Sequence, residues 1–405
     1  MVTGNKDLRS GRTVWEGRRA PSIPYAPLTR DLRTEVLVVG SGITGAMTAE
    51  ALAGVGRDVT VVDRHRPMTG ATSASTALIQ YEIDMPLTKL ARRIGHADAA
   101  RAWRRSRLAV TSLAARTQEL GIADTVRRPS LYLAGTDMNA GDLRREADER
   151  CAIGLETVYL NRRQLQERFG ISRAAALMSY DNLAADPRKL TAALLNAAVR
   201  QGARIHAPVD IVDIDVKKTV TIATTNHGRK IRCRYLVFAT GYEVPKFVPT
   251  RGHRIASTWA FATVPQRQKL WREQCLIWEA SDPYLYLRTD PQGRVICGGE
   301  DEEFSDEQRR DALLMRKIET LRRKLKKLLP ALDPTVEFAW TASFGESSTG
   351  LPSIGEIPRM KNCWAMLGYG GNGITYSRIA AEIIRAKLSG NNDPDADLYA
   401  FKQRS

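Results

Sequence analysis

Cysteine and histidine are scarce, five residues each, and no apolar run approaches the length of about 18 that a membrane-spanning helix needs. No membrane span is therefore expected. Cys151, Cys233, Cys275, Cys297 and Cys363 are scattered, odd in number and free of CxxC pairs, which argues against a disulfide framework and a thiolate metal site. No metal is expected, and a reducing cytoplasm is the expected compartment. The opening MVTGNKDLRSGRTVWEGRRAP has basic residues but lacks the apolar segment of a signal peptide, so residues 1–31 read as an arm. Acidic residues are also in deficit: 45 against 61 basic ones leave a formal charge of +16. Basic residues interleaved with exposed aromatics are missing, as is any recognisable nucleic-acid module, so nucleic acid is not an expected partner. The densest basic run, RRKLKKLL at 322–329, lies in a helical pattern with Leu314, Ile318, Leu321 and Leu325 on one face. A solvated helix face explains it. Attraction of anions, or docking of an acidic partner protein through helix 306–329, are the other readings.

A chain of 405 residues exceeds one ordinary core, so two domains are expected. The most informative stretch is VLVVGSGITGAMTAEALAGVGRDVTVVD at 36–63. An apolar strand meets Gly40-x-Gly42-x-x-Gly45, a helical stretch follows, and a second strand ends in Asp63. Gly40 permits the tight turn, Gly42 lets the backbone approach a pyrophosphate, and Gly45 lets the helix pack on the sheet. The amides of Ile43 and Thr44, at the helix N-terminus, face the phosphates. Asp63 stands 23 residues past Gly40, where a carboxylate can bind an adenosine ribose, and an acid there argues against NADP. The unit occurs once, so a dinucleotide site is expected without a second nucleotide fold.

Beyond it, Gly70, Thr72, Ser73, Ser75 and Thr76 form a small polar stretch suited to a loop passing a flat ligand, or to an ordinary turn. Asp186-Pro187 marks a helix start, with Gly202 as its stop. YLVFATG at 235–241 reads as a buried strand ending in small residues, and 253–300 turns largely β. The architecture is discontinuous. A nucleotide domain comes from 32–85, 185–250 and 335–395, a helix-and-sheet lid from 86–184 and 251–334, and 396–405 is a tail.

Together, Gly40-x-Gly42-x-x-Gly45 with Asp63, GATSASTALIQ (70–80), VFATGY (237–242), YLRTDPQGRVICGGE (286–300) and GLPSIGEIP…GYGGNGITYS (350–377) carry a resemblance. The chain resembles the D-amino-acid oxidase and glycine/sarcosine oxidase superfamily of FAD-dependent oxidoreductases over nearly its whole length. The resemblance implies an α/β fold with an α+β lid: a Rossmann-like FAD domain of the glutathione-reductase type and an antiparallel-sheet substrate domain. It implies FAD in extended form. Gly40, Gly42, Ile43, Thr44 and Gly45 would hold the pyrophosphate, Asp63 and Arg64 the ribose end, and the main chain near Val209 the adenine. Residues 70–80, including Gln80, would line the isoalloxazine, with Ala239, Thr240 and Gly241 passing beneath the cofactor. Gly370, Gly371, Asn372, Gly373 and Ile374 would turn N–H groups toward the pyrimidine end.

The same resemblance implies oxidation of a C–N bond of an amino acid or other primary or secondary amine by hydride transfer to flavin N5, the imine then hydrolysing. O₂ or another acceptor takes the electrons. Arg288 matches a family position that clamps a substrate carboxylate, and a guanidinium fork suits that task. The other reading is a surface strand arginine opposite Asp290 or Glu300. Tyr286 shares its strand face and could close over the substrate. Glu300 and Glu346 could bind a substrate amine or serve structure. No histidine falls in 70–80 and no cysteine near 340–350, so FAD is expected without a covalent bond. Two alternatives keep the fold: a 2-hydroxy-acid oxidoreductase, and an FAD-carrying subunit of a larger amine or opine dehydrogenase complex.

Overall fold

In the computed structural model, which describes residues 2–401 apart from Asn5, Ala20 and Ala123, Val36–Val38 are completely buried. Their strand, Leu32–Val39, lies mid-sheet with both faces covered, which is why it reads as a continuous apolar run rather than an alternating one. It pairs in parallel with Val59–Val62 on one side and Lys230–Phe238 on the other. Arg204–His206 and Cys363–Leu367 extend the parallel set, and Ser353–Glu356 adds an antiparallel edge. Val36 and Val38 face the helices Ile43–Ala53, Pro187–Arg200 and Gly373–Leu388, whereas Leu37 faces the opposite core with Val209, Ile211 and Phe238. The Pro187 helix starts as its sequence suggests: the Asp186 carboxylate accepts from the amides of Arg188 at 3.0 Å and Lys189 at 3.3 Å. The chain leaves it through Gly202 at φ +96°.

A second sheet has ten strands among the described residues, and several of its features depart from expectation, among them Leu78–Ile79 of the expected nucleotide segment 32–85, which pairs here with Ala175–Ala184. Val336–Ser347, expected with the nucleotide segments of 335–395, pairs along its length with His253–Thr263, from His253 opposite Ser347 to Thr263 opposite Val336. The sheet is also not purely antiparallel. Leu276–Glu279 runs parallel to Val126–Leu133 and so joins the hairpins of 126–184 to those of 253–302. The arm takes part as well: Arg9–Arg12 pairs antiparallel with Val336–Ser347 and forms the edge. Of the tail, residues 402–405 lie outside the described residues.

The basic segment forms two helices, Glu307–Ala312 and Leu314–Leu328, with Leu313 between them. Ile318, Leu321, Leu325 and Leu328 are buried in the core beneath the second sheet. Part of its positive charge is satisfied within the chain. Lys317 pairs with Glu302 at 2.7 Å, Lys324 pairs with Glu300, and Lys326 Nζ donates to the carbonyls of Pro330 (2.7 Å) and Leu332 (3.0 Å). Among the described residues no helix is long and apolar enough to cross a membrane.

Trp15 shows how the arm is anchored. Its indole is fully buried with Val14, Ala74, Ala260, Ile296 and Trp340, and its N–H donates to the Ser75 carbonyl at 2.8 Å. Trp15→Ala removes a large packed side chain and orphans that carbonyl, so it should destabilise the protein by about 3–5 kcal/mol in denaturant titration. Leu108→Ala, at a position that is 62 % exposed, should stay within about 0.5 kcal/mol of the parent.

Candidate active site

At the end of the Leu32–Val39 strand the chain turns at Gly40, whose φ is +109°, and its amide donates to the Val62 carbonyl at 2.8 Å. A Cβ at Gly40 would collide with the Ala239 carbonyl, and one at Gly45 with the Gly40 carbonyl. These two glycines let strand, loop and helix approach one another. Gly42 differs, because a Cβ there would meet only the Thr72 hydroxyl, at 3.0 Å. Its open side faces a cleft, lined also by Ile43, Thr44, Asp63, Arg64, Gly70, Thr72, Ser75, Val209, Ala239, Thr240 and Gly241. Asp63 Oδ2 accepts from the Ser41 amide (2.7 Å) and hydroxyl (2.6 Å), and Oδ1 from the His65 amide (2.9 Å). Three donors leave acceptor capacity for a ribose hydroxyl. The amide of Val209 donates to the Asp63 carbonyl at 2.6 Å, which fixes that corner. Val2, Thr3 and Leu8 of the arm also line the cleft, and Arg64 reaches the Gly4 carbonyl (3.1 Å) and Asp210 (3.3 Å).

A second cavity adjoins the first. Ala71, Ser75, Tyr242, Gly373 and Ile374 line both. Its further walls include Thr76, Gln80, Gly370 and Gly371, then Tyr286 from the strand Leu285–Thr289 and Tyr284 just before it, Asp301 from the next strand, and Trp278, Thr258, Ser343, Phe344 and Asp84. Tyr286 lies across Gly298, where a Cβ would strike its ring and hydroxyl. The Tyr284 hydroxyl donates to Asp301 Oδ2, and Gly371 N–H donates to Asp84 Oδ2 at 2.6 Å.

Four expected residues line neither cavity. Gly45 acts in packing. The Ser73 hydroxyl donates to the Gly70 carbonyl at 3.0 Å. Asn372 is a staple: its Nδ2 donates to the carbonyls of Glu82 (2.9 Å) and Gln80 (3.2 Å), and its Oδ1 accepts from the Asp84 amide (3.2 Å). Arg288 is the main correction. It is completely enclosed, and its Nη1 donates to the carbonyls of Ala77 (2.7 Å) and Ala185 (2.8 Å), its Nε to that of Thr289 (3.2 Å). Burial lowers its pKa to about 10, opposed by Asp290 and Asp186, so it stays charged at neutral pH while tying loop to sheet. Neither Glu300 nor Glu346 lines the cavity: Glu300 pairs with Lys324 and Lys317, and Glu346 with Arg254 at 2.9 Å.

Asp301 and Asp84 take their place. The strand Val295–Glu302 bulges against His253–Thr263: Ser257 opposes Glu302 while Trp259 opposes Gly299, one residue more on the first strand. With Gly299 at φ +133° and Glu300 at +60°, alternation breaks and Asp301 faces the cavity in place of Glu300. Burial pushes Asp301 up to about 7, reinforced by Glu346 and Asp84 and opposed by hydroxyls of Thr258 and Tyr284. Asp84 is an exposed residue at the cavity wall. The protein packed around its carboxylate, with Glu346, shifts its pKa upward, against the Gly371 amide.

Residues 35–387 match the family of FAD dependent oxidoreductases. The chain belongs to that family. It is 24% identical over 432 residues to a tRNA 5-methylaminomethyl-2-thiouridine biosynthesis bifunctional protein of Cupriavidus necator, covering 96% of this chain and 62% of that relative's length. It is 23% identical to a glycine oxidase of Geobacillus kaustophilus, over 91% of this chain and 96% of the relative. Among solved structures, that organism's glycine oxidase superposes with a TM-score of 0.75 at 19% identity, covering 92% of this chain and 100% of the other. L-proline dehydrogenase from P. horikoshii gives 0.76 at 18%, with 91% and 97% covered. The two sheets are thus the family's fold, a Rossmann-like FAD unit joined to a mixed sheet, and the protein is an oxidoreductase. The residues present fit the cofactor, since the glycine turn leaves a backbone cradle at Gly42 and the cleft continues from Val209 and Asp63 to the second cavity.

In this oxidoreductase Gly45→Ala should force the loop off the helix, costing about 3 kcal/mol or more and leaving the purified protein largely without flavin absorbance. Asp301 yields a pH-dependent expectation. Its folded carboxyl titrates near about 7 rather than its ordinary 3.8, so the folded state resists ionisation. The resulting penalty is absent at low pH, grows as pH rises through that interval and is constant above it. Asp301→Asn should therefore raise the thermal unfolding midpoint at alkaline pH, with the gain shrinking as pH falls below neutrality.

Proposed function

We propose that the protein oxidises a carbon–nitrogen bond of a small amine or amino acid, with FAD held non-covalently in a fold of the glutathione-reductase type. One observation carries the reading: the cleft containing the glycine turn meets the aromatic-walled cavity at the 71–80 loop and at Gly373-Ile374. The chemistry FAD supplies at such a junction is acceptance of a hydride from the carbon beside the substrate nitrogen, the resulting imine being hydrolysed by water. Gly40, Gly42 and the amide of Thr44 would hold the pyrophosphate, with the Ile43 amide, which donates to the Thr72 hydroxyl at 2.9 Å, turning to it when the cofactor binds; Asp63 would hold the ribose, and the chain at Val209 the adenine side. Thr76, Gln80 and the N-terminus of the Gly373–Leu388 helix would hold the ring system, the helix offering its positive dipole end. Tyr242, Tyr284 and Tyr286 wall the substrate space, exclude water and set the approach of the reacting carbon.

Non-covalent attachment is supported by what lines the two cavities. Among the described residues no cysteine does, and the one histidine, His65, stands at the Asp63 end. Glycine oxidase, L-proline dehydrogenase and iminodiacetate oxidase, all similar in fold, are named for substrates with an oxidisable C–N bond.

The test is anaerobic. Purified flavin-loaded protein is mixed with primary and secondary amines, amino acids and 2-hydroxy acids while the visible flavin absorbance is followed. An amine or amino acid should bleach the flavin about tenfold or more faster than any 2-hydroxy acid. Bleaching by 2-hydroxy acids alone would overturn the proposal. Readmitting air then distinguishes O₂ from another acceptor by how quickly the colour returns.

A further inference from the structure

The walls of the substrate cavity carry charge of one sign. Asp84 and Asp301 open onto it, and among the described residues no lysine, arginine or histidine side chain lines it. Glu346 adds negative potential at both carboxylates from outside the wall. Arg288, on the same strand as Tyr286, is held by the Ala77 and Ala185 carbonyls. The remaining walls are largely aromatic, from Tyr242, Trp278, Tyr284, Tyr286 and Phe344.

Two polar groups await a ligand. Asp301 Oδ2 takes the Tyr284 hydroxyl, while its buried Oδ1 has no partner. Gln80 is 9 % exposed, lines the cavity, and its amide nitrogen is likewise unpartnered. Buried polar atoms are nearly always satisfied in a working protein, so these mark where cofactor or substrate atoms sit. A carboxylate brought into this space would face two acids with no cation to neutralise it. An ammonium would find an acceptor at Asp301 Oδ1 and π faces on the tyrosines.

Resting on the amine-oxidation reading, we infer that the cavity selects organic cations: its substrate is an amine with no carboxylate on the carbon to be oxidised. Asp301, oriented by Tyr284, pairs with the substrate nitrogen, and Asp84 supplies a second anionic contact, suited to a substrate with a further cationic group. Loss of the carboxylate, rather than loss of side-chain bulk, is what separates this substrate class from amino acids.

The charge preference can be measured without turnover. Flavin-loaded protein at mildly alkaline pH is titrated with benzyltrimethylammonium and with benzoate, which share a ring and differ in charge, and with the smaller pair tetramethylammonium and acetate. Neither quaternary cation has the lone pair that oxidation needs, and binding is read from the perturbed visible spectrum of the flavin. The cation of at least one pair should bind about tenfold or more tightly than its anion. Asp301→Asn and, separately, Asp84→Asn should each narrow that ratio with the unliganded flavin spectrum unchanged. Anions binding as tightly as cations, or no perturbation by any of the four, would overturn the inference. A kinetic arm compares anaerobic flavin reduction by benzylamine with both enantiomers of phenylglycine, and by 1,4-diaminobutane with ornithine. Faster reduction by the member lacking the carboxylate supports the inference. Faster reduction by the amino acids overturns it and leaves amine oxidation standing. Cation binding without reduction by any amine would preserve the charge selectivity and remove the amine-oxidation reading beneath it.

Discussion

Three side-chain donors hold the loop that separates the two cavities. Trp340 Nε1 reaches the Ala74 carbonyl (2.9 Å), Trp15 Nε1 that of Ser75 (2.8 Å), and Arg288 Nη1 that of Ala77 (2.7 Å). The loop has almost no regular structure of its own: a short 3-10 turn at Ala71–Ala74, then a two-residue strand at Leu78–Ile79. Its inward carbonyls would be orphaned without these donors, and an orphaned buried carbonyl costs about 1–3 kcal/mol. A long, rigid donor is needed because the acceptors lie on a different chain segment from the sheet that supports them. Tryptophan and arginine meet that need, and Arg288 ties Ala185 into the same junction. Burying a guanidinium is unfavourable, and the downward shift of its pKa records that. The arrangement persists because the cation has carbonyls on several sides and Trp15 against its face, at 5.4 Å from the ring centroid.

What could be read from sequence divides by the range of the interaction involved. Gly40, Gly42, Gly45 and Asp63 are legible because turn, helix start and strand end lie within one unit of chain, and each glycine answers a local steric demand. The helix start at Asp186-Pro187 is legible for the same reason. Arg288 illustrates the opposite case. Strand alternation correctly groups it with Tyr286, but its fate depends on carbonyls 211 and 103 residues away, and no local pattern announces them. Trp15 is equally opaque, because its partner lies 60 residues on and the strand Arg9–Arg12 acquires meaning only beside Val336–Ser347.

The exchange of Glu300 for Asp301 shows a subtler failure. Parity counting along a regular strand puts Gly298 and Glu300 on one face, and both glycines before Glu300 look like ordinary small-residue positions. A bulge adds one residue and reverses the parity at the point where the cavity begins. The two glycines carry the signal in retrospect, since Gly299 adopts a φ that side chains avoid and Gly298 makes room for Tyr286. A glycine pair inside a strand followed by two acids is therefore better read as a bulge than as a continuous ladder.

Net charge proves a poor guide to the site. The chain has an excess of 16 positive charges, yet among the described residues the second cavity is lined by acids and by no lysine, arginine or histidine. The two facts are compatible because the charges occupy different dielectric surroundings. Basic side chains such as Arg323 and Lys327 lie in solvent, where screening limits each to a short range. Asp301 keeps its Oδ1 behind protein walls, where a carboxylate acts on its neighbours more strongly and is itself harder to ionise. Two acids on a cavity wall, one of them partly enclosed, can thus set the sign of a site that the surface would not suggest. The same enclosure makes Asp301 costly to the fold, which is why its pKa is displaced upward rather than held in the ordinary carboxylate range.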